Sequence, residues 1–142
     1  MAGGVVLLLR AKGFIVRNSK VEKLAKGYIE EVKKVLALAH FDITLRLRYR
    51  KKEEGWCKVL GEYEEAVINI NPERMKKKKI LRKAILHEMI HVLQGKFEVL
   101  GGELADYYDG EDNEEMKKAY VREKEALVTH YTRVLYPLIW KE

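Results

Sequence analysis

Apolar positions recur every three or four residues in three segments of the chain, and they alternate with polar positions in the region after the first. The first helical segment runs from about Ser19 to Leu38, with lysines and glutamates on its opposite face. Ser19 and Glu22 have the spacing of a capping box, in which Ser19 accepts hydrogen bonds from the first free backbone N–H groups. The pattern predicts an amphipathic scaffold helix.

Three stretches after this helix have the pattern of strands. Residues Phe41 to Tyr49 alternate between apolar and polar side chains, as expected of a half-buried strand. Shorter apolar stretches follow at Trp56 to Leu60 and Ala66 to Ile70, with polar or glycine-containing turns between them. Three strands in succession with short turns predict an antiparallel meander.

Two further helices are predicted downstream. Asn71 and Pro72 have the residue types of a helix start, an asparagine cap followed by proline at the first helical position. A helix is then expected from about Lys78 to Gln94, with Gly95 as its C-terminal stop.

The chain after Gly95 is predicted to be a long loop up to residue 111, because glycine and aspartate interrupt the pattern there. Asp112 and Glu115 form a second capping-box pattern, so the last helix is expected from there to Tyr136, where Pro137 ends it. Helices flanking a small, mainly antiparallel sheet predict an α+β fold, and residues 1–142 are interpreted as one domain.

The cysteine content and the length of the apolar runs indicate where in the cell the protein is expected. Cys57 is the only cysteine, so an intrachain disulfide is impossible, and a reducing compartment is expected. The apolar run Val5 to Leu9 is too short for a signal sequence or a membrane span, and we interpret it as an N-terminal strand or a docked arm. We therefore expect a cytoplasmic protein with no membrane partner.

The net charge of +6 raises the question of nucleic-acid binding. Basic runs occur at Arg48 to Lys52 and at Lys76 to Lys79, but lysines and glutamates are spread along the whole chain. With one glutamine and four asparagines, this balance resembles that of thermostable proteins with charged surfaces. Nucleic acid is therefore not expected to be the primary partner.

The strongest chemical signal is the HExxH run His87-Glu88-Met89-Ile90-His91, which lies inside the helix predicted from Lys78. Residues four apart on a helix lie one above the other, so both imidazoles project from one face and can bind one Zn²⁺. Glu88 lies one position round the helix, where it can act as general base on a zinc-bound water. The alternative is a helix that carries two histidines by coincidence.

A catalytic zinc site needs a third protein ligand. A histidine six residues beyond His91 is excluded, because Phe97 occupies that position. On the last helix, Glu123 shares helical phase with several apolar residues (Met116, Leu127 and Val134), whereas Glu125 has more polar neighbours. A carboxylate on an apolar stripe needs a partner, so Glu123 is predicted to be the ligand. A buried salt bridge is the alternative explanation, and His130 is a second candidate ligand.

The HExxH run together with the later run Glu123-Lys124-Glu125-Ala126 resembles the gluzincin metallopeptidases, in particular the minimal members called minigluzincins. The resemblance covers about Ala66 to Leu135. It implies a zincin-like fold, and a glutamate of an ExxA-type run as third zinc ligand, which again selects Glu123. The family often has Asp or Asn four residues after that glutamate to orient a ligand histidine, but this chain has Leu127 there.

The expected function is zinc-dependent hydrolysis of a peptide or protein substrate, with Zn²⁺ as cofactor and Glu88 as general base. His130 or Tyr120 is expected to stabilise the oxyanion. The resemblance also implies that an edge strand pairs with the extended substrate, and Ala66 to Ile70 is predicted to be that strand. The alternatives are a latent or inactive zincin-like zinc-binding regulatory protein and a basic nucleic-acid-binding domain.

Overall fold

The structure is a computed structural model that describes residues 18–50, 52–60, 64–107 and 113–141. The helices are α1 (Ser19–Val35), α2 (Lys78–Leu93), α3 (Gly95–Tyr107) and α4 (Asn113–Ile139). The strands are β1 (Asp42–Leu47), β2 (Gly55–Leu60) and β3 (Glu65–Ile70), and a 3₁₀ turn at Pro72–Arg74 precedes α2. The segment Val5 to Leu9 lies outside the described residues.

The described elements form an α+β arrangement with a mixed three-stranded sheet in the order β1-β3-β2. The strand β3 is central, parallel to β1 and antiparallel to β2. The three strand predictions are confirmed, but the prediction of an antiparallel meander is wrong. The residues between β1 and β3 include β2 and are long enough for the crossover connection that a parallel pair requires.

The core lies where α1 and α2 pack together and where α2 packs on the sheet. The side chains of Ile68 and Ile70 on β3 and of Ile85 and Met89 on α2 are completely buried. Burial of such side chains is worth about 1.5–3 kcal/mol each by transfer free energies. Because α1, α4, β2 and β3 all contact α2, this helix is the element around which the others assemble.

Local signals explain how α1 and the 3₁₀ turn before α2 begin. The cap of α1 is Asn18, whose side chain accepts a hydrogen bond from the backbone N–H of Val21 at 3.3 Å, so the prediction of Ser19 as cap is wrong by one residue. The predicted cap at Asn71 is confirmed, because its side chain accepts from the N–H of Glu73 at 3.1 Å. The Asn71 amide also donates to the carbonyl of Arg50 at 2.6 Å, which anchors the turn before β2.

The region after α2 differs most from the prediction. Where a loop was predicted, α3 forms across Gly101 and Gly102. A side chain at Gly101 would lie 2.5 Å from the ring of Tyr120, so the glycine makes room for the close contact between α3 and α4. Tertiary packing thus outweighs the low helix propensity of glycine, which is about 1 kcal/mol per residue.

The last helix also continues past its predicted end. Pro137 lies inside the final turn of α4, which extends to Ile139. Among the described residues, no helix is both long enough and apolar enough to cross a membrane.

Candidate metal centre

The two histidines of the HExxH run lie side by side on α2, and their ring centroids are 5.1 Å apart. His91 is buried and His87 is half-buried. The predicted common face of the two imidazoles is therefore present in the structure. It is positioned by the continuous helical backbone of α2 and by the buried residues on both sides of the run.

The carboxylate of Glu125 on α4 contacts both rings. One oxygen lies 3.2 Å from His87 Nε2, and the other lies 3.1 Å from His91 Nε2. One ligand atom from each of these three residues lies within 4.8 Å of the others. Two imidazole nitrogens and one carboxylate oxygen are a donor set typical of catalytic zinc, so the three residues fit a metal ion by the chemistry of their donors.

Glu123 is not brought to the histidines. Its side chain is 73% exposed and pairs with the neighbouring Arg122, with 3.3 Å between the guanidinium Nε and Oε1. The prediction that Glu123 lies on a buried stripe is wrong. Other members of the predicted stripe are also exposed, namely Met116, Leu127 and Val134.

The face of α4 that packs against the core has a different helical phase. It carries the buried residues Val128, Thr132 and Tyr136. Glu125 precedes Val128 by three residues, so it lies next to this face and extends it towards α2. This face includes the polar residue Thr132, so apolar spacing along α4 did not select Glu125 in the sequence.

The general-base candidate, Glu88, is buried behind the histidines on α2. Burial raises the pKa of Glu88 to about 7, against the opposing effects of the His91 charge and a hydrogen bond from the Cys57 thiol. Gly55 on β2 permits this arrangement, because a side chain there would lie only 3.4 Å from Glu88 Cγ and 3.0 Å from a β3 carbonyl. A carboxylate with a pKa near 7 is suited to take up and return a proton at neutral pH.

Cys57 on β2 forms a hydrogen bond with Glu88. Burial, followed by the negative charge of Glu88, raises the pKa of the Cys57 thiol. The thiol therefore stays neutral and donates to the Glu88 carboxylate, an environment that suits a packed residue rather than a nucleophile.

The two histidines differ in their electrostatic surroundings. Burial and the neighbouring His91 lower the pKa of His87. Burial also disfavours the charged form of His91, but the hydrogen bond and charge of Glu98, with smaller contributions from Glu125 and Glu88, raise its pKa overall. Glu98 belongs to α3, in the region predicted to be a loop, and sequence reasoning missed it entirely.

His87 and Glu88 border two adjoining cavities, and His91 borders the smaller one. One of about 360 Å³ is lined by β2, α2, α3 and α4 and includes Cys57, Glu98 and Glu125. The other, of about 550 Å³, lies towards the C-terminal half of α4 and includes Thr129 and Arg133. Together they form an open cleft along the HExxH face of α2.

The two predicted oxyanion donors point elsewhere. The hydroxyl of Tyr120 donates a hydrogen bond to the backbone carbonyl of Glu98. His130 is exposed, and its ring packs against Tyr131 at a centroid distance of 5.8 Å. Neither residue lines the two cavities of the cleft.

Comparisons of the chain with protein-family models, with curated proteins and with solved structures find no match.

Proposed function

We propose that the protein is a zinc metallopeptidase whose metal ligands are His87, His91 and Glu125. The observation that carries the proposal is the contact of one Glu125 carboxylate with both Nε2 atoms of the HExxH histidines, beside a buried Glu88. Three protein donors from two helices would leave one coordination position of a zinc ion for water or substrate, as catalytic zinc sites require. The resemblance to zincins supports His87 and His91 as ligands, whereas Glu125 replaces Glu123 because of its contacts with both rings.

The zinc ion would supply Lewis acidity to the scissile carbonyl and to the attacking water. Glu88 takes the proton from that water and later returns it to the leaving amine. Its pKa of about 7 in the metal-free protein reflects burial, which lets the carboxyl group exchange a proton near neutral pH. Thr129 and Arg133 line the larger cavity and replace His130 and Tyr120 as the proposed donors to the oxyanion.

The extended peptide would pair with β2. The strand β3, which was predicted to be the edge strand, has neighbours on both sides, so its backbone groups are already paired. In the described sheet, β2 is an outer strand, and Gly55, Trp56 and Cys57 line the same cavity as the histidines. Main-chain hydrogen bonds to an outer strand are a common way to bind extended peptides.

The test combines zinc binding with peptide cleavage. The wild-type protein is expected to bind one zinc ion and to cleave members of a fluorogenic peptide library. Glu88→Gln should retain zinc and lose about 10²–10⁴-fold in cleavage rate, because the amide cannot accept the proton of the water. The matched control is Glu123→Gln, an exposed glutamate on α4, which should behave like the wild type.

Two results would overturn the proposal. One is zinc-loaded wild type with no cleavage of any peptide in the library. The other is equal cleavage by the wild type and Glu88→Gln, which would show that another group supplies the base.

A further inference from the structure

The Glu98 carboxylate contacts the edge of the His91 ring that faces away from the candidate metal position. Its two carboxylate oxygens lie 2.8 and 3.0 Å from His91 Nδ1, whereas Nε2 of the same ring faces Glu125. The side chains of His91 and Glu98 are only 8% and 17% exposed. Both carboxylate oxygens of Glu98 therefore contact a single ring nitrogen in a site from which water is largely excluded.

Two residues of α4 hold Glu98 in this position. The Tyr120 hydroxyl donates to the backbone carbonyl of Glu98, and Gly101 on α3 leaves the space that the Tyr120 ring occupies. The Lys124 ammonium lies 3.9 Å from Glu98 Oε1. The backbone and the carboxylate of Glu98 are therefore both fixed by the helix that also carries Glu125.

We propose that Glu98 is the positioning residue that orients His91 for zinc binding, a role that rests on the proposed function. A histidine that binds a metal through one ring nitrogen donates its other N–H to a partner, which fixes the tautomer and the ring orientation. By accepting a hydrogen bond from the Nδ1–H group of His91, Glu98 leaves the Nε2 lone pair directed at His87 and Glu125.

The resemblance to gluzincins suggested an orienting residue on α4, whereas Glu98 lies on α3. Leu127 lies at the position where an orienting Asp or Asn was expected, and it has no hydrogen-bonding group. Glu98 lies seven residues beyond His91, on the helix that follows α2 after one intervening residue. The formation of α3 in place of a loop is what brings its carboxylate back to His91.

The test compares three variants by competitive zinc titration. Glu98→Met fills a similar volume without an acceptor, and Glu98→Gln keeps an oxygen that can accept from Nδ1–H. Glu103→Met is the matched control, since Glu103 is an exposed glutamate on the same helix. Zinc affinity should fall about 10–100-fold in Glu98→Met, less in Glu98→Gln, and not measurably in Glu103→Met.

A second measurement detects the Nδ1 proton of His91. In ¹H–¹⁵N spectra of the zinc-loaded proteins, the Nδ1–H signal of His91 should be protected from exchange in the wild type, Glu98→Gln and Glu103→Met. It should be lost in Glu98→Met. A purely structural contribution of Glu98 would not change this signal selectively, so His87 serves as the internal reference. Glu98→Ala replaces Glu98→Met if that variant does not fold.

The outcomes separate this inference from the proposed function. If the wild type takes up no zinc, the proposed function fails and the role of Glu98 fails with it. If the wild type binds zinc and Glu98→Met binds equally well, or keeps the protected Nδ1 proton, only the role of Glu98 is overturned. Rescue of both readouts by Glu98→Gln would support it.

Discussion

The two helices that carry the candidate metal site differ in how much of their surface the fold covers. Helix α2 is buried on nearly every side, because α1, α4, β2 and β3 all pack against it. Helix α4 packs through one stripe and leaves large apolar residues exposed on its other faces. On a helix that is buried on nearly every side, the few polar residues are conspicuous among apolar ones in the sequence. On a helix with several apolar stripes, the sequence does not show which stripe is buried.

The largest expected effect compares a histidine of α2 with one of α4. His91→Ala should abolish stoichiometric zinc binding, because it removes a proposed ligand and leaves Glu98 without its ring partner. His130→Ala should bind zinc like the wild type, since His130 is exposed and packs against Tyr131. Metal analysis after dialysis measures both. Equal zinc content in the two variants would contradict the assignment of the site to α2.

The second comparison concerns the two glutamates of α4. Glu125→Ala should weaken zinc binding by about 10²–10³-fold, because one quarter of the roughly 10–16 kcal/mol that binds zinc in four-ligand structural sites is about 2.5–4 kcal/mol. Glu123→Ala should have little effect, since Glu123 pairs only with the neighbouring Arg122 among the ion pairs of the described residues. Isothermal titration with zinc decides between them. A larger loss in Glu123→Ala would restore the prediction made from helical phase.

Core substitutions test the difference in coverage directly. Ile85→Ala on α2 should lower the free energy of unfolding by about 2–5 kcal/mol, because Ile85 is fully buried and its truncation leaves a cavity. Leu127→Ala on α4 should cost less than about 1 kcal/mol, since Leu127 is 45% exposed. Urea unfolding of the metal-free proteins measures both. Similar losses would mean that the Leu127 face of α4 is covered in solution.

The smallest expected effect concerns the ionisation of Glu88. Its folded-state pKa of about 7 exceeds the ordinary value of 4.5, so the folded state favours the protonated form. The contribution of Glu88 to the free energy of unfolding is therefore greatest below pH 4.5 and falls as pH rises towards 7. At pH 8, Glu88→Gln should stabilise the metal-free protein by about 1–3 kcal/mol relative to the wild type.

The difference should shrink at pH 5, where the carboxyl group of Glu88 is protonated in the folded protein. The control is Glu123→Gln, whose stability should follow the wild type at both pH values because that side chain is exposed. A difference between Glu88→Gln and the wild type that does not change with pH would show that burial of charge is not its cause.

Much of the secondary structure was predictable because each prediction depended on neighbours in sequence. The alternation through Ile43, Leu45 and Leu47 and the helical spacing around Met89 are local patterns, and the structure has a strand and a helix there. The order of the strands was not predictable in this way. It depends on β1 pairing in parallel with β3 instead of with β2, the next strand in the chain.

The residues of the candidate site also differ in whether neighbours in sequence were enough to predict them. His87, Glu88 and His91 were identified because the geometry of one helix determines their spacing. Glu125 and Glu98 reach the histidines only because α4 and α3 pack against α2, and Glu98 does so from a segment whose glycines predicted a loop. Glu125 is also 48% exposed, so the carboxylate that contacts both histidines is not on a buried stripe, contrary to the prediction.

The sequence alone determined the positions of the strands, the HExxH helix and its two imidazoles, because these follow from backbone periodicity over a few residues. The tertiary structure decided the central position of β3, the helical state of α3, and the pairing of Glu125 and Glu98 with opposite nitrogens of His91. Those features depend on contacts between different helices and strands. Their free energies exceed local propensities of about 1 kcal/mol per residue, so they cannot be read from any one segment.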